Sequence, residues 1–274
     1  MPEEITAEYA VQELASNVEL KTRIRVTVAC KTDLGRVREN NEDKFEYYMP
    51  EDDATLASRG LVFLVCDGMG GHAAGQIASE LSAKTFIDVY LHHPAEDPAV
   101  AMQSAVTAAN RFVVDVGRAV PARRGMGTTL SGLVLIQDRA YTCQVGDSRV
   151  YRLRDGQMDM LTHDHTWVDE AIRMGTLTPE EAESHPYKHV LTRAIGTEGD
   201  LKADIEVASL MAGDVYLLCS DGLLNHVDDE TIADQLRTYT PSEACWRLVA
   251  RALAGGGSDN CTVMVVRVDG LDAV

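Results

Sequence analysis

Five times along this chain an acidic residue stands beside glycine, serine or asparagine at a point where an apolar run begins or ends. The segments are Asn40-Asn41-Glu42-Asp43, Cys66-Asp67-Gly68-Met69-Gly70-Gly71, Gly146-Asp147-Ser148-Arg149, Ser220-Asp221-Gly222 and Ser258-Asp259-Asn260. The run Leu61–Cys66 is the clearest case, six apolar residues halted by Asp67. Runs of strand length broken by Asp and Gly dictate a sheet whose strand ends carry carboxylates. Asp and Gly also mark ordinary turns, so one segment alone means little. Together they offer hard oxygen ligands with small neighbours, the donor set that Mg²⁺ or Mn²⁺ takes.

The rest of the chain reads as α+β. From Arg23 the alternation Ile24, Val26, Val28 predicts a first strand. Leu130–Ile136, Ala140–Val145, Val150–Leu153, Val215–Cys219 and Cys261–Val268 read as further strands, with Asp155-Gly156 as a two-residue hairpin turn to Gln157–Leu161. A helix is expected after Gly71 with Ala74, Ile77, Ala78, Leu81 and Thr85 on its packed face, and another through Ala101, Ala105, Ala108, Phe112 and Val116. Thr240-Pro241-Ser242-Glu243 is a capping box with proline at the first helical position, opening a helix to about Ala254. Residues 165–200 are polar and punctuated by Pro and Gly, with room for short helices only. Without regular βα alternation, the sheet should be mainly antiparallel. Residues 1–22 form an N-terminal extension, where Ala7, Val11, Leu14, Ala15 and Val18 fall at helical spacing.

Charge and composition exclude some functions. The formal charge of −18 disfavours nucleic acid and an anionic membrane surface as partners. The start Met1-Pro2-Glu3-Glu4 lacks the basic and apolar regions of a signal peptide, and no run is long enough to span a membrane. The six cysteines are dispersed, with no Cys-x-x-Cys pair, and read as buried thiols. A cytoplasmic protein is expected.

In order along the chain, the segments resemble the metal-dependent serine/threonine phosphatases of the type 2C family, in particular its bacterial branch. The resemblance rests on Thr32-Asp33-Leu34-Gly35 with Val37–Asp43, Val65–Gly71, Gly125–Thr129, Gly146–Arg149, Leu161–His165, Leu191–Gly196, Ser220–Leu223 and Ser258–Asn260. It covers about residues 23–268. Single pieces are unspecific; their common order is what carries the likeness.

The resemblance implies a four-layer αββα sandwich of two antiparallel sheets flanked by helices, a catalytic domain over residues 23–270, and a flap within 165–200 that selects substrate. It implies two tightly held Mn²⁺ or Mg²⁺ ions, and a third, weaker one, activating a shared water for in-line attack on phosphorus. By the same resemblance Asp67 and the Gly68 carbonyl, with Asp221 and Asp259, ligate the pair. Glu42 and Asp43 hold coordinated waters, and Asp147 with Asp221 holds the third ion. A solvated acidic turn is the plain alternative for Glu42 and Asp43, and a turn-capping aspartate for Asp147. Arg38 would bind the phosphate, a guanidinium fork being suited to two phosphate oxygens; the alternative is a surface ion pair with Glu39 or Glu42. Arg36 and Arg193 could be phosphate-binding or structural.

Met69 departs from members that carry a histidine acid after Asp-Gly, and a thioether cannot donate a proton. The leaving-group acid is therefore unassigned, His72 being the histidine nearest in sequence. The other histidines, 163 and 165 among them, read as surface or structural. The expected activity is hydrolysis of phosphoserine and phosphothreonine in proteins by a monomer that opposes a Ser/Thr kinase. A catalytically silent adaptor of the same fold and a small-molecule phosphomonoesterase are the competing readings.

Overall fold

The run Leu61–Cys66 is continuous because both faces of its strand are covered: all six residues are buried. Phe63 and Val65 join one core cluster with Leu133, Tyr216, Leu218, Met264 and Val266. Val62, Leu64 and Cys66 join another with Phe86, Tyr90, Met102 and Val106. Strands buried on one face would have alternated instead.

The computed structural model describes residues 18–71 and 73–274. The elements are β1 (Thr22–Asp33), β2 (Lys44–Tyr48), α1 (Asp53–Ser58), β3 (Leu61–Cys66), β4 (Gly68–Met69), α2 (Ala73–His92) and α3 (Pro98–Ala119). After a 3₁₀ turn at Pro121–Arg123 come β5 (Gly127–Thr128), β6 (Leu130–Ile136), β7 (Arg139–Val145), β8 (Arg149–Arg154) and β9 (Gln157–Met160). The chain continues through α4 (Trp167–Arg173), α5 (Pro179–Glu183), β10 (Asp204–Ser209), β11 (Val215–Cys219), α6 (Asp221–Leu224), α7 (Asp229–Thr238), α8 (Pro241–Ala254) and β12 (Cys261–Ala273).

Two five-stranded antiparallel sheets face each other, ordered β1-β12-β11-β8-β9 and β10-β7-β6-β3-β2. Their facing sides share one core, α2 and α3 cover the second sheet, and α7 and α8 cover the first. This is the expected αββα sandwich. Each fully buried Leu, Val or Phe in these layers contributes about 1.5–3 kcal/mol.

The expected strands fall where the pattern put them, and the Asp155-Gly156 hairpin has both residues at positive φ, 50° and 78°. β12 runs on to Ala273, past the expected end at Val268, because β1 supplies a partner as far as Thr22. The expected helix over the first 22 residues lies, as far as Asn17, outside the described residues.

Two helix faces are corrected. In α2 the expected Ala74 and Ala78 are buried and Ile77 and Leu81 pack against the core, but Gly75, Ser79, Ser82, Ala83, Phe86 and Tyr90 are buried too, so the face is broader and reaches the serines. In α3 the expected Ala101 and Ala105 are buried and Val116 packs against the core, joined by Met102, Val106, Ala109, Asn110 and Val113, whereas Phe112 is exposed. The strands β2 and β10, both sheet edges, and the helix α7 carried no continuous apolar run and were not anticipated.

The capping box of α8 forms in both directions: Glu243 N–H donates to Thr240 Oγ1, and Thr240 N–H donates to Glu243 Oε2 at 3.2 Å. Thr240→Ala should cost about 1 kcal/mol, lowering the melting temperature by about 2–4 °C in a domain of this size. An unchanged melting curve would show that α8 is held by packing alone.

Candidate metal centre

Antiparallel pairing brings the acid-bearing ends of the strands together. β3 ends at Cys66 opposite Lys44, the first residue of β2, so Asp67 and Asp43 leave the sheet side by side. Across the sandwich, β11 ends at Cys219 beside the start of β12, which brings Ser220-Asp221 next to Asp259-Asn260. Asp147 follows the end of β7. Arg38, Glu42, Asp67, Gly68, Asp147, Asp221 and Asp259 all line one cleft of about 850 Å³. Asp43 lies beneath its floor and is buried.

Asp67 is held by its backbone. Its N–H donates to Thr129 Oγ1 at 2.9 Å, and its carbonyl accepts from Thr129 N–H at 2.9 Å and Thr128 Oγ1–H at 2.8 Å. Its side chain is thereby left for the cleft, which Asp221 also lines. Gly68 packs so closely on the backbone of Gly75 and Glu42 that a Cβ there would strike both carbonyl oxygens. Beneath the floor Ser220 Oγ–H donates to Asp43 Oδ2 at 2.7 Å.

Asn260 ties the two sheets' contributions together. Its Oδ1 accepts Glu42 N–H at 2.8 Å, and its Nδ2 donates to the carbonyls of Leu34 and Asn40 at 2.9 and 3.0 Å. Neither Asn260 nor Thr129 was assigned a role from sequence. The only signal was a small polar residue beside an acidic one or within a matched motif.

The carboxylates repel one another. Burial, then the charges of Asp43, Asp221, Asp147 and Asp259, holds the Asp67 carboxyl well above the usual carboxylate range. Burial pushes Asp43 up to about 7, offset by the hydroxyls of Ser220 and Thr262. Asp147 is likewise pushed up to about 7 by burial and by Asp221. Asp221 is raised by burial and by Asp259. Asp43 Oδ1 and Asp221 Oδ1 are buried with no hydrogen-bond partner. Carboxylates packed like this need cationic compensation, and these orphaned oxygens are what divalent cations would engage. The donor set therefore fits such ions. Among the described residues no group of three or more acidic, histidine or cysteine side chains is placed to hold a metal ion by itself. Ions held here would keep waters in their shells, as Mg²⁺ does.

Arg38 is paired with neither of its anticipated partners. Its Nη2 donates to Asp259 Oδ2 at 2.6 Å, and about half of its side chain is exposed. Arg193 binds Asp204 at 2.6 Å, outside the acidic cluster. Residues 165–200 form the segment beside the cleft, with α4 and α5 as its short helices and Lys188, His189 and Leu191 on the cleft wall. His72 lies outside the described residues.

Residues 39–259 match the family model for protein phosphatase 2C. The chain belongs to the protein phosphatase 2C family. It is 38% identical over 240 residues to the serine/threonine protein phosphatase PstP of Mycobacterium tuberculosis, covering 88% of this chain but 44% of that protein. The chain thus spans less than half the length of that relative. It is 35% identical to the serine/threonine phosphatase stp of Listeria monocytogenes, covering 87% of this chain and 94% of that protein. The solved structure of the PstP catalytic domain in complex with two manganese ions superposes with a TM-score of 0.77 at 36% identity, over 90% of this chain and all of that one. No helix among the described residues is long and apolar enough to cross a membrane.

Proposed function

We propose that this chain hydrolyses phosphoserine and phosphothreonine in proteins, using divalent cations held by Asp67, the Gly68 carbonyl, Asp221 and Asp259, with a further, weaker ion at Asp147 and Asp221. The observation that carries this reading is the convergence of Glu42, Asp67, Asp147, Asp221 and Asp259, from five distant segments, on one cleft, with Asp43 buried beneath it. Cations bound there supply an acidified water and positive charge opposite a phosphoryl group. Manganese in the PstP catalytic-domain structure supports the choice of ion.

The chain's own groups do the rest. Glu42 and Asp43 orient coordinated waters from the floor, their backbones fixed by Asn260 and Asn41. Arg38 exchanges Asp259 for the phosphate oxygens, a guanidinium being able to fork two of them. Its pairing with Asp259 holds it at the cleft mouth until then. Residues 165–200 select the phosphorylated segment. The substrates are products of a cellular Ser/Thr kinase, and the site of action is the cytoplasm.

The test is phosphate release from a phosphothreonine peptide with Mn²⁺, with and without chelator. Release that chelator stops is expected, and Arg38→Ala should lower kcat/KM by about 10²-fold, the scale of losing one donor to a developing anion. A folded, manganese-loaded chain that binds the peptide and releases nothing would favour the adaptor reading.

A further inference from the structure

His165 takes no part in the chemistry above, yet its side chain is completely buried. It sits at the foot of the flap, where the two legs of that segment meet. Its N–H donates to Gly146 O at 2.9 Å, its carbonyl accepts Thr192 N–H at 2.8 Å, and Trp167 N–H donates to Val190 O at 2.8 Å. The imidazole reaches back to the same turn, accepting Gly146 N–H on Nδ1 at 3.2 Å. A backbone N–H can only donate, so Nδ1 is bare and the ring proton is on Nε2. Nε2–H in turn donates to Asp204 Oδ2 at 3.0 Å. Arg193, on the outgoing leg of the flap, grips the other oxygen of Asp204 at 2.6 Å.

Both peptide groups of Gly146 are therefore fixed. Its N–H is held by the ring, and its carbonyl by His165 N–H and by Gln144 Nε2 at 2.9 Å. The residue itself sits at φ +101°, with Thr129 against the position of a Cβ. The next residue is Asp147, which lines both the metal cleft and the groove under the flap. A paired polar network of this kind, buried at His165 and half-buried at Asp204 and Arg193, rigidifies what it joins.

We propose that His165 is a positioning residue: with Asp204 and Arg193 it locks the Gly146–Asp147 turn to the base of the flap, coupling cation binding at Asp147 to the placement of the flap. The proposal rests on the reading that Asp147 holds a cation. Coupling of this sort is reciprocal, so the ion steadies the flap as much as the flap base steadies the ion.

The test is manganese binding to the full chain by calorimetry for His165→Asn and His165→Phe. Asparagine keeps an acceptor for Gly146 N–H; phenylalanine fills the space and leaves that buried donor unpaired. The Phe variant should weaken the weakest manganese event about tenfold, the scale of one orphaned buried donor, with the tighter events unchanged. The Asn variant should stay close to native. Native affinity throughout in the Phe variant, with Asp147→Asn losing the weak event, would overturn the clamp alone. Native affinity in Asp147→Asn as well would overturn the cation assignment and the proposal with it.

Asp204→Ala gives a second route should the Phe variant not fold. Lys188 is exposed in the flap, and manganese at weak-site concentrations should slow tryptic cleavage there in the native chain but not in Asp204→Ala. The same manganese dependence in both would also overturn the clamp.

Discussion

Asp67→Asn is expected to abolish manganese-dependent phosphate release from a phosphothreonine peptide while leaving the chain folded. The backbone of Asp67 is fixed by Thr128 and Thr129, and an asparagine keeps those bonds and its volume. What it loses is the charge at the centre of the cluster. Cationic stabilisation of a phosphoryl transition state is worth several kcal/mol, and each 1.36 kcal/mol is tenfold, so the loss should be about 10³-fold or more. The same change should raise the melting temperature of the metal-free chain near pH 8, because a carboxylate pressed by four others has been neutralised. Steady-state kinetics with circular dichroism, and thermal scans in chelator, check both halves. Activity within tenfold of native would remove Asp67 from the metal centre. Lost activity with a lowered metal-free melting point would make Asp67 a folding residue instead.

How much of this was legible depended on what each residue has to do. β3 could be read to the residue because both of its faces are covered and the apolar run simply stops where the cleft begins. The acidic residues could be read as a set because each stands beside small polar residues at the end of an element, and antiparallel pairing brings those ends to one cleft. The packed faces of α2 and α3 were read only in part, for a common reason. Ser79 is buried to donate to Glu42 O at 2.6 Å, and Asn110 is buried to brace Thr197 O and Gly196 N–H, so polar residues occupy positions that a hydrophobic stripe would assign to solvent. The edge strands β2 and β10 were missed because each has one unpaired, half-exposed side. Long-range partnerships were illegible for a different reason. Arg38 with Asp259, and His165 with Asp204, are joined only by the topology, and no local spacing encodes which acid a buried ring or an arginine will meet.

Metal removal should invert the pH dependence of stability. In the folded, metal-free chain Asp43 and Asp147 titrate near 7, and Asp67 and Asp221 are also raised. Unfolded, each returns to about 3.9. Between about pH 4 and pH 7 the folded chain therefore binds more protons than the unfolded one, and its stability falls as pH rises through that window. Pairs that pull the other way, such as Arg25 with Asp272, are exposed and screened. In chelator the melting temperature should be higher at pH 5 than at pH 8. A cation at a hundred times its dissociation constant adds about 2.7 kcal/mol, or about 5–10 °C for a domain of this size. That gain should be larger at pH 8 than at pH 5.5, because at the lower pH the ion must displace protons from the carboxylates that hold it. Thermal scans at the two pH values, with manganese and with chelator, measure all four quantities. A chelated chain that grows steadily more stable up to pH 8 would mean that the carboxylates are compensated within the fold, and the cleft would then need no metal to exist.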